Sequence, residues 1–479
     1  MRRPNIILVT LDTMRADRLR RVSGGRDLAP NLVALAANGL EFTRAVASGV
    51  PTYFSFPVLF RGGNALDGGK RIGLRDGAPT FVERLRDAGY STAAVVASNP
   101  YLSRYYSYDR GFDVFDDFRA AGSGSSRSRV SRAERLVGRE ATTRLRHAKS
   151  TWNNLVAAFG DGNPSLHDAS RGEAVTRRAL ELLDRLEPPF FLWLHYMDLH
   201  GYYYSTPEDR ARALGARNAF DRMALRWKRL AYLSRWTGLI LASEAETGPT
   251  RVDHTEEDRR VLEGFYDASV AYTDRALGPL LDAARGRGDT VSVVTSDHGE
   301  EFFEHGRLGH APFSLYEEVV RVPLIVSGPD VPIGTRDDWV SHGRLAATML
   351  TLAGLDADGG LLASGPAGPV LTESLWGLTT PFPREHLSEF NVVVSAREGD
   401  LKLISWEGAD REELYDLGRD PAETRDLSGE SRGAERAATL RDAVKTRVRE
   451  ASIEDARFEL ERRMRGVRSA LKRRARGSR

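Results

Sequence analysis

The stretch "TSDHGEEFFEHGRLGH", Thr295 to His310, places Asp297, His298, His305 and His310 within sixteen residues of a chain that has ten histidines in all. Just upstream, "TVSVVT" from Thr290 is a short, mostly β-branched run, the composition of a buried strand. An aspartate and a histidine therefore stand at the carboxyl end of a strand. In an open α/β sheet, residues just past the carboxyl ends of neighbouring strands converge on one crevice. The fold and the site both turn on which other strands end in the same way.

Working outward, strands are expected at Asn5–Thr10, Thr92–Ala97, Phe190–His195, Thr290–Thr295 and Val322–Ser327. Between them, "TFVERLRDAGY" from Thr80 and "AVTRRALELLDRLE" from Ala174 repeat apolar residues at helical spacing and read as crossover helices. Strands alternating with helices imply an α/β fold with a mostly parallel central sheet flanked by helices. The Gly/Ser/Arg-rich segment from Ala120 to Glu140 reads as a surface excursion.

From about Arg384 the strands shorten, and "VVVSAREGDLKLISWEG" suggests a hairpin turning at Glu398–Asp400. After Gly429 the chain becomes helical and strongly charged, with a basic cluster at Lys472–Arg476 that reads as a solvated helix and frayed tail. The expected organisation is a catalytic domain over 1–383, a small C-terminal α+β subdomain over 384–429 and a charged helical tail over 430–479.

Composition narrows the function classes. With 41% hydrophobic and 28% charged residues and a formal charge of +2, the chain has an ordinary globular balance, which argues against an overall nucleic-acid or membrane electrostatic role. It has no cysteine, which removes disulfides, thiolate metal sites and cysteine nucleophiles. The opening "MRRPNIILVTLDTMR" holds an apolar run too short for a signal-peptide core or membrane span, and no other stretch is long enough, so a cytoplasmic location is expected.

Asp12 follows the first strand as Asp297 and His298 follow the fourth. Two carboxylates and an imidazole form a ligand set that suits calcium, magnesium, manganese or zinc without choosing among them. A third element, "ASGVPTYFSFPVLFRGG" from Ala47, leads small residues and a proline into Thr52. If a helix starts there, its backbone N–H groups form an anion pocket, and a bound dication lowers the hydroxyl's effective pKa, making Thr52 a candidate nucleophile. His195, inside an apolar strand, reads as a satisfied core histidine.

These pieces fall in an order that resembles the sulfatase family of the alkaline phosphatase superfamily, over about Asn5 to Leu427. "NIILVTLDTMRAD" is similar to that family's first strand and metal-binding aspartate, and "TSDHGE" to its later metal-binding pair. "GHAPFSLYEEVVRVPLIVSGP" looks like the helix and strand that follow, "PFFLWLHYMDLHGYY" like the segment carrying a substrate-binding histidine, and "ELYDLGRDPAETRDL" from Glu413 like the C-terminal signature. The resemblance implies Asp12, Thr52, Asp297 and His298 around one divalent metal. It implies His200 and His310 as catalytic and substrate-binding residues, and Asn99 as a further substrate-binding residue. A second metal, drawing on Asp198, His200 and His310, is disfavoured by the spacing Asp198-Leu199-His200, shorter than that of two-metal members.

The chain also departs from the family. Where sulfatases carry Cys-x-Pro-Ser-Arg, this sequence reads Thr52, Tyr53, Phe54, Ser55 and Phe56. Threonine cannot become formylglycine, and a sulfated threonine lacks the second hydroxyl through which formylglycine hydrate sheds sulfate. Thr13 stands where many members have a second metal-binding aspartate, and His298, in place of asparagine, is similar to phosphonate monoester hydrolases. The expectation is a sulfuric or phosphoric ester hydrolase working through Thr52, with phosphorus esters favoured. Transfer of a phospho-group to an acceptor alcohol, or an inactive sulfatase-like binder, are the alternatives. The partner expected is a small-molecule or glycan ester, with no nucleic acid; Tyr53, Phe54, Tyr202, Tyr203 and Tyr204 are aromatic residues able to stack on it or simply to pack.

Overall fold

In the first strand, β1 (Asn5–Leu11), every residue is buried. Such a run needs cover on both faces, because successive side chains of a strand point to opposite sides of its sheet. Ile7, Val9 and Leu11 enter one hydrophobic cluster and Ile6 and Leu8 another. This description comes from a computed structural model that describes residues 3–67, 72–74, 78–118, 170–201, 203–243, 254–311, 313–363, 368–376, 391–409, 411–430 and 437–453.

The further strands of the central sheet are β2 (Leu40–Phe42), β3 (Ser91–Val96), β4 (Val114–Asp116), β5 (Phe190–Tyr196), β6 (Thr290–Ser296), β7 (Leu324–Ser327) and β8 (Gly334–Arg336). They lie in the order β8-β2-β7-β6-β1-β5-β3-β4. β1 pairs in parallel with both β5 and β6, and β3 in parallel with β5 and β4. β7 runs against both of its neighbours. It begins at Leu324, two residues later than expected, after Pro323, which has no N–H to give a ladder. The register sets Leu11 of β1 beside Tyr196 of β5 and Ser296 of β6, so the chain leaves these three central strands at one level.

The helices that matter for the site are α1 (Thr52–Arg61), α2 (Phe81–Asp87), α3 (Gly172–Leu183), α4 (Ala219–Ser243) and α5 (Glu256–Arg287). α2 is the expected crossover helix and starts on a capping box, Thr80 accepting from Glu83 N while Glu83 reaches back to Thr80 N. α5 starts the same way through Thr255 and Asp258 and stops at Gly288, whose φ of 72° is a left-handed conformation that costs glycine little. α1 is buried along most of its length, with Phe56, Leu59 and Phe60 in the cluster below the sheet.

The C-terminal region is a four-stranded antiparallel sheet of β9 (Val370–Trp376), β10 (Asn391–Glu398), β11 (Leu401–Trp406) and β12 (Arg411–Asp416). The expected hairpin joins β10 to β11, with Glu398 opposite Leu401. The first strand of this sheet comes from before residue 384, inside the segment read as catalytic. It is tied to the chain just ahead of α1, where Glu373 N donates to Ser48 O (2.9 Å), and the new sheet packs on Tyr53, Phe54 and Val58 of α1. The Ala120–Glu140 excursion and the basic Lys472–Arg476 cluster lie outside the described residues. Among the described residues, no helix is long and apolar enough to cross a membrane.

Candidate active site

Three strand ends and one helix start meet beyond the carboxyl edge of β1, β5 and β6. Asp12, Asp297 and His298 are fully buried, and their ligand atoms all lie within 4.8 Å of one another. Thr52, the first residue of α1, is buried against them: its Oγ1 donates to Asp297 Oδ2 (2.9 Å) and stands 3.2 Å from His298 Nε2. His298 Nδ1 lies 3.0 Å from the Gly299 carbonyl, which can only accept. Nδ1 therefore carries the proton, and Nε2 presents its lone pair to the Thr52 side. Ser55, the one position of the family's nucleophile motif kept here, donates to the backbone oxygen of Asp297 (2.8 Å).

The backbone at Thr13 is strained for this purpose. A threonine at φ 60° sits in a region costing on the order of 1–3 kcal/mol, so it persists only where surrounding contacts hold it. Here Thr13 N donates to Asp297 Oδ1 (3.1 Å) and Thr13 O accepts from the Tyr266 hydroxyl of α5 (2.7 Å). Asp12 Oδ1 and Thr13 Oγ1 are left buried with no hydrogen-bond partner. A buried oxygen left unsatisfied is expensive in a folded protein, and two of them beside a coordinating imidazole fit a bound divalent cation.

The charges point the same way. Burial pushes the Asp12 carboxyl up, but His200, His195 and His298 together more than reverse this and hold it well below the usual range. Asp297 goes the other way, raised by burial and by the negative charge of Asp12, against the pull of His298, His195 and Thr52. Two adjacent carboxylates that cannot both ionise comfortably form an arrangement that a dication relieves.

His200 and His310 stand across from each other, ring centroids 5.1 Å apart, and the His310 ring is 4.5 Å from that of His298. All six residues expected as catalytic or metal-holding thus stand together. Asn99, just beyond β3, is there too, but its amide is directed within the protein: Nδ2 donates to Asp12 Oδ2 (3.1 Å) and Oδ1 accepts from Tyr101 N (2.9 Å). Asp198 Oδ1 accepts from Gly172 N at the head of α3 (3.1 Å).

Two residues already read from the sequence gain neighbours here, and one, Glu300, escaped that reading. His195 is buried in β5, as a core residue is, yet its Nε2 lies 3.3 Å from Asp12 Oδ2 and its Nδ1 3.0 Å from Thr10 Oγ1. It is satisfied and also holds one oxygen of Asp12 so that the other points free. Phe56, at the place of the family's arginine, packs edge-on to His195 with centroids 5.1 Å apart. Glu300 is fully buried, 3.0 Å from His310 Nδ1, and accepts from the Tyr203 hydroxyl (3.2 Å). Burial works against a proton on His310, but Glu300, Asp12 and Asp297 outweigh it and raise its pKa; His200 is lowered by burial, against the attraction of Asp12. The signal for Glu300 was its place two residues after His298.

Tyr203 is buried and structural, and Tyr53 and Phe54 pack under the C-terminal sheet; Tyr204 is covered by Arg171, and Tyr202 lies outside the described residues. His305 stacks on Tyr316 with centroids 3.5 Å apart. Arg15 binds Glu304 (2.7 Å) and Asp17 (2.9 Å) and donates to Glu300 O (3.0 Å), a brace under the metal loop.

The sulfatase family model matches residues 4–355. Choline-sulfatase of Rhizobium meliloti (strain 1021) is 31% identical over 195 residues, 39% of this chain and 37% of that one. Arylsulfatase K of Danio rerio is 31% identical over 188 residues, 37% of this chain and 35% of that one. The chain thus matches little more than a third of the length of these two curated relatives. The sulfatase YidJ of Escherichia coli (strain K12) is 23% identical over 93% of this chain and 87% of its own. The fold is shared with the phosphonate monoester hydrolase of Agrobacterium radiobacter (TM-score 0.64, 19% identity, 95% of this chain and 96% of that one). It is shared equally with a protein solved in complex with its substrate D-glucosamine-2-N,6-O-disulfate (TM-score 0.64, 18% identity, 95% and 99%).

Proposed function

The chain belongs to the sulfatase family, and we propose that within it this protein hydrolyses phosphorus esters, a phosphate or phosphonate ester of a small molecule or glycan, with Thr52 as nucleophile. The observation that carries this is the Thr52 hydroxyl, buried at the start of α1 with its oxygen 2.9 Å from Asp297 and 3.2 Å from His298. One divalent cation, held by Asp12, Thr52, Asp297 and His298, would supply charge stabilisation for the ester oxygens and make the threonine hydroxyl easier to deprotonate.

The residues then divide the work. Thr52 passes its hydroxyl proton to Asp297 Oδ2, to which it already donates, as its oxygen attacks phosphorus in line with the departing alcohol. His310, with Nδ1 held by Glu300, gives the proton of its other nitrogen to the leaving oxygen as the ester bond breaks. His200, its pKa lowered mainly by burial, is placed to hydrogen-bond the ester beside His310. Water then attacks phosphorus, His310 takes up its proton, and the bond to Thr52 oxygen breaks as Asp297 returns the proton that restores the hydroxyl. Phosphorus is open to that direct second attack, whereas a sulfated threonine has no second hydroxyl from which to eliminate sulfate.

The test compares the metal-loaded protein with Thr52→Ala on matched aryl sulfate, phosphate monoester, phosphodiester and phosphonate substrates. Thr52-dependent release from phosphorus esters alone is the expected result. Thr52-dependent sulfate release would overturn the preference, and equal turnover by metal-depleted protein would overturn the mechanism.

A further inference from the structure

Helix α4 shows two faces of opposite character. Its inner face, Arg229, Tyr232 and Leu233, is buried. Its outer face carries Phe220, Met223 and Trp227, which are 82%, 45% and 57% exposed. Spacings of three and four residues put these side chains in one stripe along the helix. Three large apolar side chains in line on the surface are more than the scattered exposure common in soluble proteins.

Cations surround the stripe. Away from its buried face, α4 contains Arg222, Arg226, Lys228 and Arg235 against a single acid, Asp221. Lys228 and Arg235 pair with Glu257 and Asp258 of α5, and Asp221 accepts from Arg217 N (2.9 Å). Arg217, Arg222 and Arg226 have no carboxylate partner among the described residues. A cavity of about 140 Å³ is lined by apolar residues such as Tyr232, Leu262 and Leu308 and by the ion-paired Lys228, Glu257 and Asp258. Leu308 is two residues before His310.

We propose that the outer face of α4 is a membrane-docking surface that lies on anionic phospholipid. Aromatic and apolar side chains enter the headgroup boundary while flanking arginines meet lipid phosphates, the composition of an interfacial helix rather than a spanning one. A second copy of this chain fits the face less well, since a two-fold contact would set the arginine-flanked stripe against itself. The near-neutral charge of the whole chain conceals the patch because the average includes acids elsewhere. The surface is also near the chemistry: Arg229 donates to Tyr203 O (3.3 Å), Tyr232 stacks on Tyr203 with centroids 5.8 Å apart, and Tyr203 holds Glu300, which holds His310. This inference is independent of which ester is cleaved.

The test is sedimentation of the full-length, metal-loaded protein with vesicles of phosphatidylcholine alone or mixed with phosphatidylglycerol. The protein is expected to pellet with the mixed vesicles and to be released by salt. Phe220→Ala with Trp227→Ala, and separately Arg222→Glu with Arg226→Glu, are each expected to weaken binding about tenfold or more. Both variants should keep the wild-type melting temperature and turnover of a soluble ester, so loss of binding will not reflect unfolding. A wild-type protein that stays in the supernatant overturns the proposal, as does binding unchanged in both variants. A wild-type dimer that Phe220→Ala with Trp227→Ala converts to monomer overturns it in favour of a contact between copies.

Discussion

Two clusters in this molecule, one fully buried and one partly buried, contain the same kinds of side chain. Asp12, Asp297 and His298 form one; His305, Glu318 and Glu423 form the other, and each trio brings its ligand atoms within 4.8 Å of one another. They differ in where the neutralising charge comes from. At the second, Lys402 Nζ, fully buried, lies 2.7 Å from Glu423 Oε1 and 2.9 Å from Glu317 Oε1, and Arg397 lies 3.0 Å from Glu317. His305 stays neutral, pushed down to about 4 mainly by burial, with Nε2 3.2 Å from Glu318. At the first, no lysine or arginine among the described residues touches either aspartate; Asp12 Oδ1 lacks a hydrogen bond there, as Glu318 Oε1 and His305 Nε2 do at the second. The chain supplies its own cations around Glu317 and Glu423, whereas on the proposed function a divalent cation would neutralise Asp12 and Asp297. The two are physically joined, since Glu300 N donates to Glu318 O (3.0 Å) and Gly299 N to Val319 O (2.6 Å), so the internal ion network props up the loop after β6.

The largest effect expected is on the catalytic side. Thr52→Ala should lower kcat on the preferred phosphorus ester by about 10⁴-fold while the melting temperature holds; a loss under tenfold would remove Thr52 as nucleophile. On the structural side, Lys402→Met strands the buried Glu423 carboxylate, leaves Glu317 to Arg397 alone, and should lower unfolding free energy by about 3–5 kcal/mol, read by urea denaturation. Wild-type stability in that variant would mean the second cluster is not held by internal charge.

Metal analysis probes the contrast directly. Excess divalent cation should raise the stability of chelator-treated wild-type protein, by about 2.7 kcal/mol at a hundred times the dissociation constant. Asp297→Asn should abolish that gain and Glu423→Gln leave it intact; a metal equivalent lost with Glu423→Gln would make the clusters alike.

Glu300→Gln tests the positioning of the proton. Because Glu300 raises the His310 pKa, the wild-type enzyme keeps its acid protonated to higher pH. The variant should lose about 10–100-fold in kcat, and its alkaline limb should move to lower pH. An unmoved limb would assign the proton to another group.

The smallest effect is a slope. Burial and neighbouring carboxylates push Glu318 up to about 9 from its ordinary 4.5. The folded protein then holds a proton that the unfolded chain has released, so this contribution to stability is complete below pH 4.5 and is lost as pH rises toward 9. Glu318→Gln should flatten the decline in unfolding free energy across that window, and an unchanged slope would place the titration elsewhere.

Much of this was legible in the chain. Five strands and two helices were placed by apolar runs and helical spacing, with small shifts at their ends such as the late start of β7 after Pro323. Asp12, Asp297 and His298 were legible because a parallel sheet puts every such strand end on one side. His195 was read as a core residue because its neighbours in sequence are apolar, and nothing local reveals that β5 lies beside β1 with Thr10 level with His195. Glu300 looked like one more acid in "DHGEE". The outer face of α4 was missed because helical periodicity identifies a face without saying which way it points.

The sequence by itself determined which residues stand at strand ends, since hydrophobic period and turn chemistry are local properties. The tertiary structure decided which of them meet. Thr52 and Asp297 are 245 positions apart, and Asn99 and Asp12 are 87 apart, joined only through sheet order and register. It also decided which buried acids receive Lys402 or Arg397 and which are left open, because a charge's partner is set by distances of a few ångströms in space rather than along the chain.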